Sequence, residues 1–155
     1  MKSRYASWNI LLIIFLSIIY SFNSQADDKT QKIATAVEIY KQFATAMIMG
    51  NLEKATSYAK GKALRVVRRK QYLVSKGKTN PIPQEFEILI VGESISALQD
   101  EVNIMGVLLA RNKIKGSSDL ATVPHRQEIT LKYQADGWKV VYFMDNLEKC
   151  CLPAK

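Results

Sequence analysis

Three groups of residues in this sequence carry side chains suited to chemistry or recognition. The first is His125, the only histidine of the chain. An imidazole titrates near neutrality and suits proton transfer, but as a general base it needs a carboxylate or similar group to orient it. Asp145, at the end of the last expected strand, is the candidate partner, and together the two mark a possible cavity site. The plainer reading of His125 is a strand-end histidine after Pro124, hydrogen-bonded to solvent. No nucleophile and no paired-carboxylate motif accompanies it, so no catalytic residue is assigned.

The second group is basic. Between Lys60 and Lys78 the chain holds eight Lys or Arg residues and no Asp or Glu. At about 100° per residue on a helix, Arg65, Arg68, Arg69, Tyr72 and Lys76 fall within one arc of roughly 100°. Ala63, Val67 and Val74 are expected on the opposite, docking side. Arginine forks grip carboxylate or phosphate bidentately, and the Tyr72 ring can stack. The alternative is a solvated helix face with no partner. The third group is Cys150 with Cys151, adjacent and near the end. Adjacent cysteines do not make a disulfide framework, so a vicinal disulfide, an intermolecular bridge and free thiols stay open as redox states. Metal binding is not expected, since zinc needs about four spaced ligands, and no cofactor is implied.

The setting of these residues follows from the chain's start. Lys2 and Arg4 precede an apolar run from Ile10 to Tyr20, and Ser24 and Ala26 are small residues before Asp27. This is the pattern of a secretory signal peptide over residues 1–26, with cleavage before Asp27. The apolar stretch is shorter than the ~20 residues needed to span a bilayer. Membrane attachment is therefore expected only if the segment is retained. The segment holds two of the 22 basic residues and none of the 14 acidic ones, so the remainder has a net charge of +6. That balance favours an acidic protein surface or anionic lipid. Nucleic acid is not expected, because an exported protein seldom meets it and no aromatic-interleaved groove is evident. Periplasmic or secreted localisation follows, and a homodimer is compatible.

Residues 27–149 are expected to form a single domain, with 150–155 a short tail. Apolar residues at Ile33, Val37, Tyr40, Ala44, Met47 and Ile48 have the spacing of an amphipathic helix over 30–49. Gly50 suits its stop, and Asn51 caps a second helix, 52–59. Gly61 breaks that helix, and a third runs from about 62 to 75. A linker rich in Gly and Pro, 76–83, separates these from four expected strands at 85–97, 102–114, 124–134 and 138–144. On the third, His125, Gln127, Ile129, Leu131 and Tyr133 share a face. Ala135-Asp136-Gly137 is a hairpin turn. Trp138, Tyr142, Phe143 and Tyr133 are expected in the core. Helices followed by a strand meander read as α+β, with the helices on one face of an antiparallel sheet.

Tyr40 with Ala44, the join Met49-Gly50-Asn51-Leu52-Glu53-Lys54-Ala55, and the hairpin from Ile129 through Gly137-Trp138-Lys139-Val140-Val141 together resemble the nuclear transport factor 2-like superfamily over about residues 32–144. The resemblance implies a cone-shaped α+β fold, N-terminal helices on a curved four-stranded antiparallel sheet, with a cavity between sheet and helices. It does not carry over an active site, because the superfamily holds isomerases, dehydratases, secretion-system subunits and plain binding modules. The expected function is an exported non-catalytic binding or assembly module with a basic ridge and a possible small-ligand cavity. The alternatives are a small cavity enzyme using His125 (isomerase, dehydratase or hydrolase type) and a membrane-tethered secretion-system assembly subunit.

Overall fold

In the computed structural model, residues 28–78, 82–113 and 120–147 are described. Helix α1 covers residues 28–48. Its buried stripe is Ala36, Tyr40, Phe43, Ala44 and Met47, the spacing that keeps one side of a 3.6-residue helix against a sheet. Ile33, Val37 and Ile48, expected in that stripe, flank it half-buried. After the turn at Gly50, Asn51 Oδ1 accepts the Lys54 backbone N–H at 3.1 Å and caps α2, Leu52–Tyr58, satisfying one of the orphan donors of a helix start.

The break before α3, Gly61–Ser75, is made by backbone pairing. Ala59 turns extended and forms a parallel bridge with Val140, and Lys60 N donates to the Val140 carbonyl at 2.9 Å. This stitch lays α3 along the last strand, where Ala63 and Val67 are buried.

The four strands are β1 (Glu85–Ile95), β2 (Glu101–Lys113), β3 (Leu120–Gln134) and β4 (Gly137–Leu147). They form one antiparallel sheet in the order β1-β2-β3-β4. Register shifts lie between Ile90 and Gly92 on β1 and between Thr130 and Leu131 on β3. Such irregularities bend strands and raise local twist, which curves the sheet toward the helices. β3 begins four residues before Pro124, the expected start. Among the described residues the pairing of β3 with β4 runs from His125↔Leu147 to Gln134↔Gly137. Within them Pro124 is paired with Leu109 of β2 only, a position at the margin of the β3–β4 ladder where a proline is tolerated.

The helix-facing side of the sheet is apolar over most of its length. Val102 and Ile104 on β2, Ile129 and Leu131 on β3, and Val140 and Phe143 on β4 meet Tyr40 and Phe43. Phe43 and Phe143 pack edge to face, ring centres 5.1 Å apart, the geometry favoured by the ring quadrupole. Two aromatic expectations change. Trp138 and Phe143 are buried, but Tyr133 is 59 % exposed and Tyr142 only half-buried. Tyr133 lies at the hairpin end of the inward face, where its ring meets the edge of Trp138 at 5.3 Å. Tyr142 pairs with Thr130, and both turn to the outer side of the sheet. Among the described residues, no helix is long and apolar enough to cross a membrane.

Candidate functional site

Along β3 the inward positions change character in steps of two. Leu131 and Ile129 are apolar and buried, Gln127 is polar and buried, and His125 is part-exposed. A buried amide needs a partner. Tyr40, reaching across from α1, donates its hydroxyl to Gln127 Oε1 at 2.7 Å. This fits because Gly106, opposite Gln127 on β2, leaves the space above it empty: a Cβ there would overlap Tyr40 Oη and come within 3.1 Å of Cζ.

Asp145 lies opposite Gln127 on β4, so it shares the helix-facing side, and His125 is its diagonal neighbour. His125 Nδ1 and Asp145 Oδ1 are 3.2 Å apart, with side chains 27 % and 35 % exposed. The structure thus brings together the two residues expected to mark a cavity, and both are part-exposed. A His125 that donates from Nδ1 to Asp145 would have its ring oriented by that carboxylate, the arrangement a general base uses. Burial raises the Tyr40 hydroxyl above its ordinary value, and the Asp145 charge adds to that effect. Lys70, on α3, is lowered by burial while Asp145 pulls it back up, and its Nζ donates to the Met47 carbonyl at 2.5 Å. Around Asp145 the cone therefore holds a polar corner of Tyr40, Gln127, His125 and Lys70. Gln127 was the readable sign of it, being the one amide in an inward row that is otherwise apolar or aromatic apart from His125.

The basic residues stand on the opposite side of α3 from the core. Arg65, Arg68, Arg69 and Lys76 are exposed, and Tyr72 is 62 % exposed. Val74, expected on the docking side, is 41 % exposed. It lies in the last turn, beyond Val67, the last buried residue of the helix. Among the described residues, the three arginine side chains make no ion pair and no hydrogen bond. The carboxylates of Asp28, Glu85, Glu101, Glu128, Asp136 and Asp145 pair instead with cations or His125 outside α3. Lys76 Nζ rests 5.7 Å from the centre of the Tyr72 ring, within the range of a cation–π contact.

Open clefts lie elsewhere among the described residues. One of about 900 Å³ separates the start of α1 from the β3–β4 hairpin, beside Tyr133 and Trp138. Another, of about 500 Å³, crosses the outer face of the sheet at Met105 and Tyr142. The third, of about 340 Å³, runs beside α1 from Glu38 to Met49. None is lined by His125, Asp145 or a ridge residue. The expected signal segment, Cys150 and Cys151 lie outside the described residues.

The intermembrane-space region of the chloroplast protein ARC6 superposes with a TM-score of 0.55 at 12% identity, covering 75% of this chain and 97% of that one. A ketosteroid isomerase-like protein from Erwinia carotovora atroseptica SCRI1043 gives 0.55 at 10% identity, covering 75% and 95%. The CamKII hub homology domain of Chlamydamonas reinhardtii gives 0.56 at 16% identity, covering 76% and 98%. The fold is that of the nuclear transport factor 2-like superfamily. No protein-family model matches the chain, and neither does any curated protein sequence. At these identities the likeness shows the nuclear transport factor 2-like fold alone, and activity has to be argued from the residues.

Proposed function

We propose that this chain is an exported, non-catalytic binding or assembly module that meets an anionic partner surface through α3. The reading is carried by the contrast between Arg65, Arg68 and Arg69, exposed and unpaired among the described residues, and the ion pairs that occupy cations elsewhere. A protein gains little stability from unpaired surface arginines, whereas a concentrated positive face raises encounter rates with anionic partners. Export, if it follows the N-terminal pattern, places that partner in the cell envelope or outside. A photo-crosslinking side chain at Tyr72 should yield adducts in the source cell, and one at Val91 on β1 should not. Adducts from Tyr72 should disappear when Arg65, Arg68 and Arg69 are all replaced by Glu. Equal labelling from both positions would remove α3 as the binding face.

One observation favours a second reading. The 3.2 Å contact of His125 with Asp145 is what a small isomerase, dehydratase or hydrolase would need to orient its base. The ring signals of His125 in an NMR spectrum, followed against a panel of small carbonyl compounds, test it. A compound that shifts them in the wild type but not in Asp145→Asn supports an enzyme. Silence across the panel leaves the pair a structural feature of the sheet.

A further inference from the structure

We propose that the partner of the α3 ridge is the surface of an anionic lipid bilayer; the proposal rests on the reading of that ridge as the binding face. Its shape comes first. The ridge is the convex outer side of a 15-residue helix, and among the described residues the clefts beside α1, the hairpin and the outer sheet face do not reach it. A protein partner is usually anchored by a side chain in a pocket, whereas a plane of lipid headgroups asks only for a matching field.

The chemistry agrees. Arg65, Arg68 and Arg69 offer planar forks that suit phosphodiester oxygens better than an ammonium does. Tyr72 stands among them, 62 % exposed, and Val66 at the flank is 38 % exposed. An aromatic ring with a polar tip is the side chain that settles at the level of the headgroups. Basic residues around an interfacial aromatic on a helix lying flat are the pattern of peripheral attachment to acidic lipid. No Asp or Glu occurs between Lys60 and Lys78 to repel the headgroups.

The test is flotation of the full chain with vesicles of phosphatidylcholine alone and with vesicles in which about one third is phosphatidylglycerol. An apolar N-terminal segment would act on both, so the ratio between the two vesicle types reads the ridge. The expected ratio is on the order of 100-fold at low salt, falling as salt rises. It should collapse toward one when Arg65, Arg68 and Arg69 become Glu, and drop several-fold in Tyr72→Ala. An equal partition, or a ratio that survives the triple reversal, overturns the proposal. Immobilised polyglutamate separates the two levels of the reading. If the arginines bind polyglutamate but not anionic vesicles, the ridge stands as a binding face and the lipid assignment falls. If they bind neither, both fall.

Discussion

Gly106 has no room for a side chain because Tyr40 stands over it, and Tyr40 is held there by Gln127. Gly106→Ala would push the Tyr40 ring off its bond, combining overpacking with an unmade buried hydrogen bond. A loss of about 2–4 kcal/mol is expected in urea unfolding. Tyr40→Phe keeps the packing but leaves Gln127 Oε1 without this donor, for about 1–3 kcal/mol. The two variants differ again in alkali. The folded state raises the Tyr40 value, so the native protein holds that proton more tightly than the unfolded chain. Its contribution is complete below the ordinary tyrosine pKa of about 10 and declines as the pH climbs past it. Tyr40→Phe should therefore lose that part of the alkaline decline in a pH series of unfolding curves, and a series parallel to wild type would refute the assignment. Lys70 acts with the opposite sign. Its lowered value means that charge is disfavoured on folding, and stability recovers as the pH approaches the ordinary lysine range.

At the scale of elements, α3 has two sides with different energetic weight. Val67 is fully buried, and Val67→Ala should cost about 2 kcal/mol through lost transfer and a residual cavity. The triple arginine reversal, which breaks no hydrogen bond or ion pair among the described residues, should stay within about 1 kcal/mol in thermal melts. A large drop in that variant would show that the ridge is structural. Much of this layout was legible in the sequence. Helical periodicity gave α1 and the basic arc, and the Asn51 cap is where it was read. Strict alternation gave the inward row of β3, and Asp136-Gly137 gave the hairpin, where Gly137 takes φ +98°. Three things were not legible. The true limits of β3 and β4 depend on which neighbour each strand has, and Pro124 reads as a boundary only if that is unknown. Tyr133 and Val74 continue patterns of buried residues past the point where the opposing layer ends. The pairing of His125 with Asp145 was readable as a candidate, but its diagonal geometry depends on a register set by the irregularity at Thr130, and no local signal announces that.

For the whole molecule, charge is distributed by region. Sheet and hairpin cations face carboxylates across strands and turns, as in Lys132 with Glu101 at 2.9 Å and Lys139 with Asp136 at 3.1 Å. Pairs of this kind, each with one partner more than half exposed, contribute little to stability. Moderate salt should thus leave the melting temperature nearly unchanged while weakening whatever α3 binds, and the two responses can be followed on one sample. The proposed export adds a check on the ends of the chain. An intact mass of the exported protein should begin at Asp27, and the change on reduction reads the state of Cys150 and Cys151. The stitch of Ala59 and Lys60 onto Val140 has a consequence for how copies of this molecule can join. It occupies the outer rim of β4 at Val140, whereas β1, with Val91 65 % exposed, has no strand on its outer side among the described residues. Sheets that extend by strand addition need two free borders to form a fibre. At Val140 a strand adding to β4 would have to displace the join between α2 and α3, so the fold carries a local block to border-to-border growth at that point.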